Sequence, residues 1–81
     1  MFSKAEKGRL RWRSRRGMLE LDLLLVPFFD ERFEGLTIEQ QQNFVTLLEQ
    51  DDPDLIEWFA RRERAQDESL QALVEMILDH A

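Results

Sequence analysis

Apolar side chains recur along this chain at the spacing of helices. Leu70, Leu73, Val74 and Ile77 fall at i, i+3, i+4 and i+7, one face of a 3.6-residue repeat. Asp67 stands just ahead of them, where a carboxylate can accept from the first free amides of a helix. Ile38, Phe44, Val45 and Leu48 form a second helical pattern behind Thr37-Ile38-Glu39-Gln40. That tetrapeptide is a capping box, in which the N-cap hydroxyl and the N3 side chain satisfy each other's backbone N–H. Asp52-Pro53 predicts a third start, an N-cap followed by proline at the first helical position, where its missing N–H costs nothing. The short helix it opens carries Leu55, Ile56, Trp58 and Phe59. Arg61, Arg62 and Arg64 follow near its end, where cations complement the helix dipole.

The first third of the chain is patterned differently. Ser3-Lys4-Ala5-Glu6 is another capping box, predicting a helix from about residue 4 to 14. Its apolar content is thin (Ala5, Leu10, Trp12), which places it on the surface of the bundle. Gly17 then punctuates the chain. From Met18 to Phe33 there are ten apolar side chains apart from Pro27. That density fits a helix buried on most sides. A buried strand competes for residues 21–26, but leucine outnumbers β-branched residues and the segment is long. Pro27 is expected to kink or divide the helix. Short connections between such segments imply an all-α, compact five-helix bundle forming one domain over residues 1–81. The expected core is Met18, Leu21, Leu24, Phe28, Phe44, Leu48, Leu55, Trp58, Leu73 and Ile77.

Length and charge sharpen this picture. Eighty-one residues leave room for one core and little for a deep private active site. There is no cysteine, which excludes disulfides, thiolate metal sites and a cysteine nucleophile, and points to a reducing compartment, the cytoplasm. The longest apolar run, Leu23 to Phe29, is far shorter than the roughly 20 residues that span a bilayer. The Arg-rich start runs straight into the patterned domain and reads as mature sequence rather than a leader. Residues 1–20 carry seven bases and two acids, residues 21–81 four bases and fifteen acids, for a net charge of −6. An acidic body with a basic edge is suited to electrostatic steering toward a partner.

The catalytic inventory is poor. His80 is the only histidine and next to last, a position expected to fray. Asp51, Asp52 and Asp54 lack the glycine and distal glutamate of a calcium loop and are better explained by helix capping. Gly8, Gly17 and Gly35 are isolated, so there is no phosphate loop. The basic stretch Lys7 to Arg16, with Trp12 inside it, is suited in principle to nucleic acid. The acidic remainder repels phosphate, and no recognition helix follows. The same stretch lacks the broad apolar face of a membrane-surface helix.

One run stands out: Arg13-Ser14-Arg15-Arg16-Gly17-Met18-Leu19-Glu20-Leu21-Asp22. Pro27-Phe28-Phe29 follows, then Leu47-Leu48-Glu49-Gln50-Asp51-Asp52-Pro53-Asp54-Leu55 with Trp58. In content, order and spacing this resembles the succinate dehydrogenase assembly factors, the SdhE type of flavinylation factor, over nearly the whole chain. The resemblance implies a five-helix bundle with no enzymatic activity and no stably bound cofactor. Such a protein binds the flavoprotein subunit of succinate dehydrogenase, or of fumarate reductase, and promotes covalent attachment of FAD to a histidine there. Bacterial members of that family are cytoplasmic and eukaryotic relatives mitochondrial; a cytoplasmic monomer that neither inserts stably in membranes nor binds nucleic acid is expected here. Some family members are also described as antitoxins of a small membrane toxin. A nucleic-acid-binding regulator is the remaining alternative.

The resemblance places partner binding at Arg16, Gly17 and Glu20, flanked by Arg11, Trp12, Arg13, Arg15 and Asp22. Taken alone, Arg16 and Glu20 are four apart and make an ordinary i,i+4 pair if both are helical, worth about 0.3–0.5 kcal/mol. Gly17 is either a turn residue of permissive φ or a point where partner backbone approaches closely.

Overall fold

Five helices carry the chain in a computed structural model, which describes residues 2–81. They are α1 (Lys4–Ser14), α2 (Leu19–Arg32), α3 (Ile38–Leu48), α4 (Asp52–Phe59) and α5 (Glu68–His80), with a 3₁₀ turn at Phe33–Gly35 after α2. No strand is found among the described residues, so 21–26 is helix. Both capping boxes form. Ser3 Oγ accepts the Glu6 N–H and Glu6 Oε1 accepts the Ser3 N–H; Thr37 and Gln40 do the same at α3. The Asp67 carboxylate accepts from the Ser69 and Leu70 amides at the head of α5. At α4 the N-cap is Asp51, one residue earlier than the sequence suggests, and its side chain makes no capping bond. Asp52 lies inside the first turn, its carboxylate engaged elsewhere.

The core is built from Leu21, Leu25 and Phe28 of α2, Phe44, Leu47 and Leu48 of α3, Leu55 of α4, and Leu73, Val74 and Ile77 of α5. Phe33 joins from the 3₁₀ turn. Phe28, Phe29, Phe33 and Phe44 form an aromatic cluster with ring centroids 4.8–6.0 Å apart. A domain of this length has a total stability of about 4–12 kcal/mol at roughly 0.05–0.15 kcal/mol per residue. Truncating one such ring costs about 3–5 kcal/mol, a large share of that total, so core substitutions are poor probes of function.

Three residues expected in the core sit at its margin. Met18, Leu24 and Trp58 are half-buried. The helical repeat explains two of them. Leu25 and Phe28 lie within about 40° of Leu21 around α2, whereas Leu24 lies about 60° off. On α4, Leu55 and Phe59 take the core and Trp58 is likewise about 60° aside. Met18 precedes α2 as its N-cap, in extended backbone.

Pro27 does not divide α2, which continues through it to Arg32. Proline offers no N–H to the Leu23 carbonyl one turn back, and Leu23 is on the exposed side of the helix. His80 is not frayed. It ends α5 with its ring edge-on to Phe28 at 5.7 Å and Nε2 2.9 Å from Glu31 Oε1, pinning α5 to α2.

Candidate partner-binding surface

Residues 15–18 join α1 to α2. Arg15 leaves α1 in extended backbone, Gly17 turns at φ +82°, and Met18 returns to extended backbone before α2 begins. A positive φ is disfavoured for L-residues with a side chain, so the turn reading of Gly17 is physically required. Gly17 is also exposed, and a β-carbon placed there meets nothing within 4 Å. The turn therefore leaves open space above the glycine, compatible with close approach from outside.

Arg16 is not a helical partner of Glu20. Its side chain reaches across to the corner between α3 and α4 and is only 15% exposed. Nε donates to Asp52 Oδ1 at 2.7 Å, Nη1 to the Leu48 carbonyl at 2.8 Å, and Nη2 to the Gln50 carbonyl at 2.8 Å. The fork thus serves the last carbonyl of α3, a carbonyl of the corner that follows, and a carboxylate at the start of α4. On its other side, the Arg16 N–H donates to Asp22 Oδ1 at 2.6 Å. Arg16 and Asp22 together fix the 15–18 segment in place, with their polar groups spent inside the molecule.

The other residues of the cluster divide clearly. Arg11 makes a two-pronged contact to Asp30 of α2, at 2.7 and 3.0 Å. That hydrogen bond lowers the Asp30 carboxyl below its usual range and raises the Arg11 guanidinium above its own. Arg13, Arg15 and Glu20 are exposed and make no ion pair among the described residues, as do Lys4 and Arg9. Trp12 is 74% exposed on the face of α1 opposite buried Leu10. Exposed among these residues are therefore Trp12, Arg13, Arg15, Gly17 and Glu20, while Arg16 and Asp22 are engaged inside the molecule and Arg11 is tied to α2.

Sequence reasoning missed the brace. The available signal was the α3 to α4 corner at Glu49, Gln50 and Asp51, which has no glycine to close the end of α3. Such a corner calls for a donor from elsewhere in the chain. Also missed were Leu19 and Leu23, which stand exposed on a helix whose composition suggested burial on most sides.

Residues 8–81 match the family model described as flavinator of succinate dehydrogenase. The chain belongs to that family. A relative from Aliivibrio fischeri, named FAD assembly factor SdhE, is 50% identical over 99% of this chain and 93% of its own length. One of the same name from Pseudomonas aeruginosa is 51% identical over 98% and 94%. The solution structure of a UPF0350 protein superposes with a TM-score of 0.82 at 46% identity, covering 99% of this chain and 85% of that one. That match spans all five helices. The two sequence blocks that signal the family, around Gly17 and around Asp52, meet in space through the Arg16 side chain. Among the described residues no helix is long and apolar enough to cross a membrane, and no acid or histidine cluster could hold a metal ion.

Proposed function

We infer that this protein is an FAD assembly factor: it binds the flavoprotein subunit of succinate dehydrogenase and promotes covalent attachment of FAD to that subunit. The observation that carries the reading is near-full-length identity of about half to FAD assembly factors. The exposed Gly17 turn and Glu20 then supply a surface for the partner. Docking uses the basic face of α1 and this turn, and the fumarate reductase flavoprotein is a second client of the same surface. The factor works as a monomer in the cytoplasm and holds no flavin of its own.

In this reading the chain performs no chemistry. It holds the partner so that the bound flavin and its acceptor histidine meet in reactive geometry, a gain from proximity supplied in trans. Trp12 and Glu20 bind, the arginines steer, and Arg16 positions the turn. The test is to mix the purified apo-flavoprotein subunit with FAD, with and without this protein, and score covalent flavin by in-gel fluorescence after denaturation. The wild-type factor should accelerate the appearance of the band and Glu20→Ala should not. Equal rates with and without the wild-type factor would overturn the reading.

A further inference from the structure

α2 carries more apolar surface than the core uses. Leu21, Leu25 and Phe28 fill the inner face. Leu19, Leu23 and Pro27 recur every four residues and lie about 120–160° around the helix from Leu21, so they form a ridge on its outer side. Leu19 is 69% and Leu23 63% exposed. Trp12, Leu19 and Leu23 all fall within six residues of Gly17, and Ile38 is the remaining large apolar residue so exposed among the described residues. Beside the ridge runs a groove between α2 and α4, an open hollow of about 340 Å³ floored by Leu21, Leu24, Ile56 and Phe59. Glu20 stands between ridge and groove.

We propose that the docking surface extends from the Gly17 turn along this outer face of α2, and that it takes an apolar segment of the flavoprotein subunit carrying a basic side chain opposite Glu20. The proposal rests on the functional reading above and names what that reading leaves open, the chemistry of the contact. Three features select the occupant. The leucines contribute nothing to the core, so their exposure is relieved only by an apolar partner surface. Glu20 has no ion pair among the described residues, and Arg62 on the far rim is held by Glu57, so a cation must come from outside. Pro27 leaves the Leu23 carbonyl without its helical N–H, an acceptor on the ridge itself for a partner donor.

Charge argues against other occupants. Two copies related by a twofold axis through the ridge would bring Glu20 toward Glu20, which repels. An anionic bilayer would meet the same carboxylate among the leucines. A protein segment with apolar side chains over Leu19 and Leu23 and a base toward Glu20 satisfies both the ridge and the carboxylate.

The experiment is a binding titration of the purified flavoprotein subunit with four factors: wild type, Leu19→Gln/Leu23→Gln, Ile38→Gln and Glu20→Ala. Glutamine has nearly the helix propensity of leucine, so the double variant should melt with the wild type. Its Kd should rise about tenfold or more, the scale of a buried interface anchor, while Ile38→Gln stays within about twofold. The ridge is overturned if the double variant binds like the wild type, or if Ile38→Gln weakens binding equally. It is also overturned if the wild type sediments as a dimer that the double variant dissociates, or floats with anionic vesicles when the variant does not. Weak binding by Glu20→Ala with normal binding by the double variant would remove the ridge and leave the functional reading standing. A wild type that does not bind the subunit would remove both.

Discussion

Arg16 Nε lies 2.7 Å from Asp52 Oδ1, joining the turn after α1 to the first turn of α4. The guanidinium also takes up the Leu48 carbonyl at the end of α3 and the Gln50 carbonyl in the corner beyond it. Arg16→Ala should therefore lower stability by about 2 kcal/mol, the sum of a charge-assisted bond and orphaned acceptors. That is a fall of about 8–16 °C in Tm for a domain of this size. Asp52→Asn should cost about 1 kcal/mol, because the carbonyl contacts survive. Arg16→Lys should be nearly as harmful as Ala, since an ammonium cannot reproduce the fork. A double-mutant cycle by chemical denaturation checks the coupling; an Arg16→Ala protein as stable as wild type would remove the brace.

Gly17 makes a sharper test of cause. Its φ of +82° should make Gly17→Ala cost about 1 kcal/mol, or about 4–8 °C in Tm. Because a β-carbon there meets nothing, the cost is backbone strain and not crowding. Gly17→Asn should be milder than Ala, and Gly17→Leu no worse than a β-branched residue of similar size. Thermal melts of the series decide it: a steep dependence on side-chain volume would mean the space is filled.

The unpaired arginines should govern encounter. Arg13→Ala/Arg15→Ala is expected to slow association with the flavoprotein subunit several-fold at low salt, with a smaller change in dissociation. Arg11→Ala should slow it less, because Asp30 already neutralises that charge locally. Stopped-flow association rates against ionic strength measure both.

Acid sensitivity follows from the carboxylates held by donors. Asp30 is lowered by Arg11, Glu75 by Arg61, and Glu6 by the Ser3 amide and hydroxyl. A group whose folded pKa is depressed contributes stability above its unfolded pKa and loses it as pH falls through the folded value. The wild type should thus lose stability between about pH 5 and pH 2. Asp30→Asn should flatten that decline while lowering stability at neutral pH. Parallel pH profiles for the two proteins would contradict the Arg11 contact.

Much of the fold was legible because capping boxes and apolar periodicity are local signals. Thr37 with Gln40, Ser3 with Glu6, and the Leu70 to Ile77 stripe need nothing from the rest of the chain. The polar assignments were not local. Whether Arg16 faces Glu20, Asp52 or a partner depends on where α1 ends and how the α3 to α4 corner folds. Composition alone also misplaced the leucines of α2. Its outer side carries Leu19 and Leu23, so density of apolar residues did not equal burial. Of the residues the resemblance points to, Gly17 and Glu20 are exposed, whereas Arg16 and Asp22 are engaged inside the molecule.

Only Leu10 and Ser14 of α1 are buried, and its ion pairs from Lys7 to Glu34 and from Arg11 to Asp30 lie on the surface. Such a helix is the natural unit of sub-global opening, with α2, α3 and α5 remaining closed around the phenylalanines. Its amides should exchange with solvent ahead of those of α5, and more readily in high salt, which screens both pairs. Arg16 marks where that opening stops, because beyond it the chain is fastened to the α3 to α4 corner. On such opening the turn that follows α1 should keep its shape.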